Sequence, residues 1–167
     1  MPDILTVDVV DVTDGDTLTV EGSAGQAVTV RLWGIDAPET SHPFDPEATA
    51  VARQEAEGKR VEVEVVDQGS YGRLIGRVHV GGTTLGRTLT RSGYAWHARR
   101  HGTSGQLKEN EREARRNGRG LWSQGSPMPP WEHRNGTEGS AVEGAMQLFA
   151  WALATIVILV LLILLSA

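Results

Sequence analysis

The sequence predicts an α+β domain: a small, partly open five-stranded β-barrel with about three helices, followed by a linker and one apolar helix. Three observations point there. Five short runs rich in β-branched residues lie between turn signals. Three further segments carry helix start or stop signals. The final stretch of the sequence is almost wholly apolar.

Residues 4–10 and 17–20 read as two strands joined around Asp14-Gly15, a strong hairpin signal. Residues 28–35 form the third strand. Residues 60–67 alternate Val61, Val63 and Val65 with Glu62 and Glu64, which describes a strand with one wet face. Residues 74–80 form the fifth, ended by Gly81-Gly82. Helices are expected at 46–57, at 84–92 with Gly93 as stop, and at 104–117. The last has Ser104 as N-cap and Gly118 just past its end.

The chain has 167 residues and no cysteine. One compact domain is the default at this length. A disulfide scaffold, a thiolate metal site and a cysteine nucleophile are excluded. The net charge of −5 hides an asymmetry: residues 1–68 hold 15 acidic and 4 basic side chains, whereas residues 69–140 hold 5 and 12. A basic second half suits a polyanion partner, and an acidic first half suits cations.

The N-terminus has no basic segment followed by an apolar core, so no secretory signal is expected. Residues 148–165 contain one polar member, Thr155. As a helix they span roughly 27 Å, near the thickness of a bilayer core, and their insertion is favourable by roughly 4–8 kcal/mol. Residues 145–167 are therefore expected to cross a membrane as a single C-terminal anchor, a lipid bilayer being the partner. A buried core helix and a lipid-anchor signal are the alternatives. Two residues follow the apolar run, and His133 and Arg134 precede the span. Both features place the domain on the cytoplasmic side. Residues 123–144, with Pro127, Pro129 and Pro130 among glycines and serines, have linker composition. The folded domain is then residues 1–122.

Certain residues can carry chemistry. Asp16 shares strand parity with Leu18 and Val20, the expected inward set. A carboxylate there must be hydrogen-bonded or coordinate a cation. Read alone, it is a turn aspartate capping its own backbone. An EF-hand loop is excluded, because the first two ligand positions would be Val10 and Val12. In the segment 31–40, Arg31 sits in a strand, and Asp36 and Glu39 flank Pro38 at its end. Tyr71-Gly72-Arg73 opens another strand. Acids beside a hard cation, with arginine forks for a phosphate, are what metal-assisted phosphodiester hydrolysis needs.

The order Asp14-Gly-Asp-Thr17, Val30-Arg-Leu, Ile35-Asp-Ala-Pro-Glu39, Tyr71-Gly-Arg73, Gly93-Tyr-Ala95, then Glu111, Ala114 and Leu121-Trp122, closely resembles the staphylococcal nuclease (thermonuclease) family over roughly residues 4–123. The resemblance implies an OB-fold barrel and calcium-dependent cleavage of DNA and RNA that leaves 3′-phosphate ends. It implies Asp16, Asp36 and the Ala37 main-chain carbonyl as Ca2+ ligands, with Asp14 behind them. It implies Glu39 as the general base, and Arg31 and Arg73 as phosphate-binding and transition-state-stabilising groups. Tyr71 and Arg99 would lie along the substrate. Some members have threonine where this protein has Ala37, which removes only the side chain.

Where some members place tyrosines near the nucleotide, this sequence offers Trp96, Arg99, Arg100 and His101, a basic and aromatic strip able to stack on bases. His97 and His101 are four apart and suit a metal on a helix, but no third ligand lies nearby and a basic patch is the simpler reading. Arg112, Arg115, Arg116 and Arg119 read as a solvated helix face, or secondarily as a phosphate-contact stripe. Trp122 reads as a core anchor. Two rival functions stand beside the enzyme: a non-catalytic nucleic-acid- or protein-binding barrel at a membrane, and a structural membrane adaptor. A nuclease assay with calcium and then with chelator separates them.

Overall fold

The computed structural model describes residues 3–40, 42–98 and 104–133. Five strands form the barrel: β1 (Asp3–Asp14), β2 (Thr17–Glu21), β3 (Ala27–Leu32), β5 (Arg60–Gln68) and β6 (Leu74–Val80). Between β3 and β5 come the short β4 (Ile35–Asp36) and helix α1 (Asp45–Ala56). After β6 come β7 (Thr83–Thr84), α2 (Leu85–Ser92), β8 (Trp96–His97) and α3 (Gly105–Arg116), then a 3₁₀ turn over Gly120–Gln124.

The strands pair in the order β3-β2-β1-β5-β6, and β3 returns to β6. That last pairing is parallel, Val30 to Leu74, Arg31 to Ile75 and Leu32 to Gly76, and it closes the barrel. The expected barrel is therefore closed rather than partly open. Alternation within each strand shows which face is wet but not which edges meet, so the closure has no signal in the sequence.

Alternate residues fill the interior: Val7, Val9, Val12, Leu18, Val20, Val30, Val61, Val63 and Val78 are all buried. Burying each of these residues stabilises the fold by about 1.5–3 kcal/mol relative to an exposed position. Register shifts in β1 between Val9 and Asp11 and between Val12 and Asp14 mark bulges, which bend the strand towards the β1–β2 turn.

Helix α1 starts with Pro46 in its first turn and places Ala48, Ala52 and Ala56 on one buried face. Their four-residue spacing and small size let the helix lie close to β1. Thr84 caps α2, its side chain accepting from the Arg87 N–H, and Ser104 caps α3 in the same way from the Leu107 N–H. The three helices thus match the sequence expectation to within a residue or two. The third expected strand, 28–35, is instead split. Gly34 turns the backbone at φ 78°, a conformation open to glycine at no steric cost. The two residues after it leave the barrel as β4 and pair with β8, Ile35 to His97 and Asp36 to Trp96.

Packing continues past Trp122. The first compact unit runs from Met1 to Pro130, and Pro130 is itself buried. Among the described residues no helix is long and apolar enough to cross a membrane. The apolar run 148–165, the rest of the expected anchor and the linker from 134 onward lie outside the described residues, as do Arg99, Arg100 and His101.

Candidate active site

The site is assembled by three segments at one end of the barrel. The tight β1–β2 turn supplies Asp14 and Asp16, the end of β3 supplies Arg31, and β4 with its following loop supplies Asp36 and Ala37, with Glu39 two residues further along that loop. The first segment is locked against the third. A methyl group on Gly15 would come within 2.7 Å of the Ala37 Cβ and 3.0 Å of the Ala48 Cβ, so the backbone approaches closely only because residue 15 has no side chain.

Asp16 is 2% exposed, as its strand parity predicts. Rather than capping its own backbone, its Oδ2 accepts from the Ala37 N–H at 2.9 Å, across the site. Its Oδ1 accepts from the Thr17 hydroxyl at 3.0 Å and meets Arg31 Nη1 at 2.8 Å. Asp14 sits behind it: its Oδ1 accepts from the Asp16 N–H at 3.0 Å. The other guanidinium nitrogen, Arg31 Nη2, donates to Asp36 Oδ1 at 2.7 Å. One arginine therefore bridges two buried carboxylates. These are two of the donors in its fork, and the rest stay available to an anion.

The local charge is unbalanced, with Asp14, Asp16 and Asp36 facing one guanidinium. Burial pushes the Asp16 carboxyl up to about 7; the charge of Arg31 pulls it back, while Asp14 and Asp36 push it further up. Although Arg31 is in direct contact, burial outweighs its attraction. A pocket with excess buried carboxylate is one that a cation stabilises. The oxygen-only donors suit a hard cation such as calcium. Among the described residues, no three acidic or histidine side chains are gathered tightly enough to hold a metal by themselves. The two carboxylates would need main-chain or water oxygens to complete a shell, a role open to the Ala37 carbonyl.

Arg73 precedes β6, with extended backbone. Leu74 points inward opposite Val30. Arg73 accordingly lies on the outward side of the β3–β6 pair, the same side as Arg31. Its Nε is buried and has no hydrogen-bond partner among the described residues. With Thr29, Ser70, Tyr71 and Gly72 it lines an open groove of about 710 Å³. Tyr71 is fully exposed and held at φ 60°, a left-handed conformation uncommon for a bulky side chain. Glu39 is half-buried on the turn after Pro38, and its carbonyl accepts from the His42 N–H at 2.8 Å.

Two expectations are corrected. Trp96 is 1% exposed. Its ring packs edge-on to Trp122 with centroids 5.5 Å apart, so it belongs to the core and cannot stack on a base. His97 lies on the strand β8 rather than on a helix; it is buried, and its N–H donates to Glu111 Oε2. The arginines of α3 and beyond are paired to neighbouring glutamates: Arg112 and Arg116 to Glu109, Arg115 to Glu111, Arg119 to Glu113. That agrees with the first reading, a solvated helix face, and neutralises much of the charge that the secondary reading, a phosphate-contact stripe, would use. Sequence reasoning missed the hydroxyl of Thr17 as an Asp16 partner, although it closes the Asp14-Gly-Asp-Thr17 motif. It also missed His42, a lone histidine with no pattern around it.

With this geometry in view, comparison with known proteins is decisive. Residues 29–124 match the family model described as staphylococcal nuclease homologue. The chain belongs to the staphylococcal nuclease family. An Escherichia coli protein named as an uncharacterized endonuclease is 38% identical over 128 residues, covering 76% of this sequence and 83% of that protein. The micrococcal nuclease of Shigella flexneri is 33% identical over 144 residues, 80% of this sequence and 82% of its own. A staphylococcal-like nuclease of Arabidopsis thaliana is 34% identical over 66% of this sequence but only 34% of its own length, so the shared part is the domain alone. The family and the carboxylate–arginine site together make this protein a nuclease, a hydrolase of phosphodiester bonds, in preference to a binding module.

Proposed function

We propose that this nuclease is calcium-dependent, cleaves DNA, RNA or both to leave 3′-phosphate ends, and is tethered to a membrane by residues 145–167 with its domain on the cytoplasmic side. The observation that carries the calcium reading is the single Arg31 guanidinium bridging buried Asp16 and Asp36 at 2.8 and 2.7 Å, beside a third carboxylate. Resemblance to the family supports the calcium and the product polarity, and the apolar run of residues 148–165 supports the anchor.

Asp16, Asp36 and the Ala37 carbonyl would hold the ion. When bound, calcium acts as a Lewis acid that draws charge from a phosphate oxygen. The remaining chemistry is done by the protein. The remaining donors of Arg31 and the guanidinium of Arg73 grip the phosphate from the outward face of β3 and β6. They stabilise the charge that develops on its oxygens as the bond to the attacking oxygen forms. The Glu39 carboxylate takes a proton from water, the water oxygen attacks phosphorus in line as the bond to the 5′ oxygen breaks, and the departing 5′ oxygen takes up a proton from solvent to leave as a hydroxyl. Such base assistance is worth about 10²–10⁴-fold. Tyr71, exposed at the groove's rim, offers a ring to the neighbouring nucleotide. Arg99 remains proposed as a further substrate contact on sequence grounds. The test is hydrolysis of single-stranded DNA and RNA with calcium and then with chelator, the product ends being mapped. Cleavage that continues at full rate in chelator, or leaves 5′-phosphate ends, refutes the reading.

A further inference from the structure

His42 is 4% exposed and joins four parts of the molecule. Its N–H donates to the Glu39 carbonyl at 2.8 Å, closing the turn that carries the proposed base. Its own carbonyl accepts from the Asp45 N–H at 3.0 Å, where α1 begins. Its ring stands edge-on to Trp96, centroids 5.9 Å apart and planes at 80°. Trp96 in turn pairs through its backbone with Asp36. Lastly, His42 Nε2 lies 2.7 Å from the carbonyl oxygen of Met128. A carbonyl only accepts, so Nε2 carries the proton and donates. Met128 lies beyond the barrel, in a segment of three prolines that ends at buried Pro130.

We propose that His42 is a positioning residue: it fastens segment 125–130 to the Glu39 turn, so that the placement of the catalytic base depends on residues that follow the barrel. The inference rests on Glu39 being the base. Misplacement of a base by about 1 Å costs on the order of a hundredfold in rate, so a turn that carries one needs restraint from outside itself. The buried histidine bond supplies such a restraint, and the prolines stiffen the segment that receives it. The Met128 side chain itself is exposed, so at that residue the attachment is through the backbone carbonyl.

The test uses the full-length protein acting on single-stranded DNA in calcium, with kcat, KM and thermal midpoint measured for each variant. His42→Phe keeps an aromatic ring against Trp96 but removes the donor. His42→Gln restores a donor at nearly the same reach. Replacing Pro127, Pro129 and Pro130 together by glycine loosens the receiving segment with His42 intact. The expected result is a kcat about tenfold lower for His42→Phe, KM within about twofold, and recovery to within about threefold of wild type for His42→Gln. The proline variant should show the same kcat loss, and combining it with His42→Phe should add nothing further. Wild-type kcat in the proline variant overturns the proposal even if His42→Phe fails to fold, and so do additive losses in the combined variant. Glu39→Gln separates the two layers. If it retains near-wild-type turnover, the reading of Glu39 itself fails; if it is inactive while His42→Phe is fully active, only the positioning role fails.

Discussion

The Asp16 carboxylate accepts a hydrogen bond from the Ala37 main-chain N–H at 2.9 Å, across 21 residues of sequence. This contact registers the β1–β2 turn against the loop after β4, and with it one proposed calcium ligand against another. Gly15 makes the approach possible. A Cβ there would stand 2.7 Å from that of Ala37, too close without a backbone shift. Gly15→Ala is therefore expected to cost about 1–3 kcal/mol in a urea titration and to weaken calcium binding at the same time. Unchanged stability together with unchanged calcium affinity would show that the two turns are not coupled.

Asp16 gives a pH dependence with a definite sign. Its carboxyl is raised from 3.8 to about 7, chiefly by burial. The folded state thus holds the proton more tightly than the unfolded state. The corresponding stability is fully present below pH 3.8 and is lost as pH rises through about 7. In chelator, the thermal midpoint should fall between pH 5 and pH 8 more steeply than in calcium, and Asp16→Asn should flatten the fall. A midpoint in chelator that rises over this range contradicts the burial of an ionisable Asp16.

Glu39→Gln should lower kcat by about 10²–10⁴-fold with little change in KM, because a general base acts in the transition state. Arg31→Lys should not rescue function. An ammonium lacks the planar fork that reaches Asp16 and Asp36 at once. Steady-state rates, with the fold checked by circular dichroism, decide both. Near-wild-type turnover in either variant removes that residue from the mechanism.

Trp122 should matter for stability alone. It is 7% exposed, packs edge-on to Trp96 and lies under the Arg115 guanidinium at 4.1 Å. Trp122→Ala should cost about 3–5 kcal/mol, while any fraction that stays folded should retain its KM for DNA. A raised KM at unchanged stability would mean that the ring contacts substrate.

Tethering is tested on cells. The full-length protein should sediment with membranes, resist high salt and alkaline carbonate, and be released by detergent. External protease should leave the domain intact in closed cells. Release by salt means that residues 145–167 do not span a bilayer; digestion from outside reverses the orientation.

Much of this was legible in the sequence where a local rule applied. Alternating valines in β5, the stop of α2 at Gly93, the cap Ser104, and the inward parity of Asp16 all express local geometry, and each appears in the structure where the sequence predicts it. Long-range pairing was not legible. Nothing in residues 30–32 or 74–76 announces a parallel closure, and nothing in residues 35–36 announces that they leave β3 for β8. Trp96 reads as a binding aromatic because it falls where some family members place tyrosines near the nucleotide, yet it is buried, in the strand that pairs Trp96 with Asp36. His42 and Met128 lie 86 residues apart, and a side-chain-to-carbonyl bond leaves no pattern in either segment. The site's parts were legible because they sit in short motifs; their mutual support was not, because it comes from packing.

The central claim is that Asp16 and Asp36, bridged by Arg31, form the seat of a calcium ion on which hydrolysis depends. The most direct measurement is the rate of cleavage of single-stranded DNA by wild type, Asp16→Ala and Asp36→Ala, each in calcium and in chelator, alongside the calcium-induced shift in thermal midpoint. The expected result is cleavage by wild type in calcium alone, with both the activity and the midpoint shift lost in the two variants. Wild-type cleavage at full rate in chelator, or a midpoint shift that survives in both variants, would contradict it.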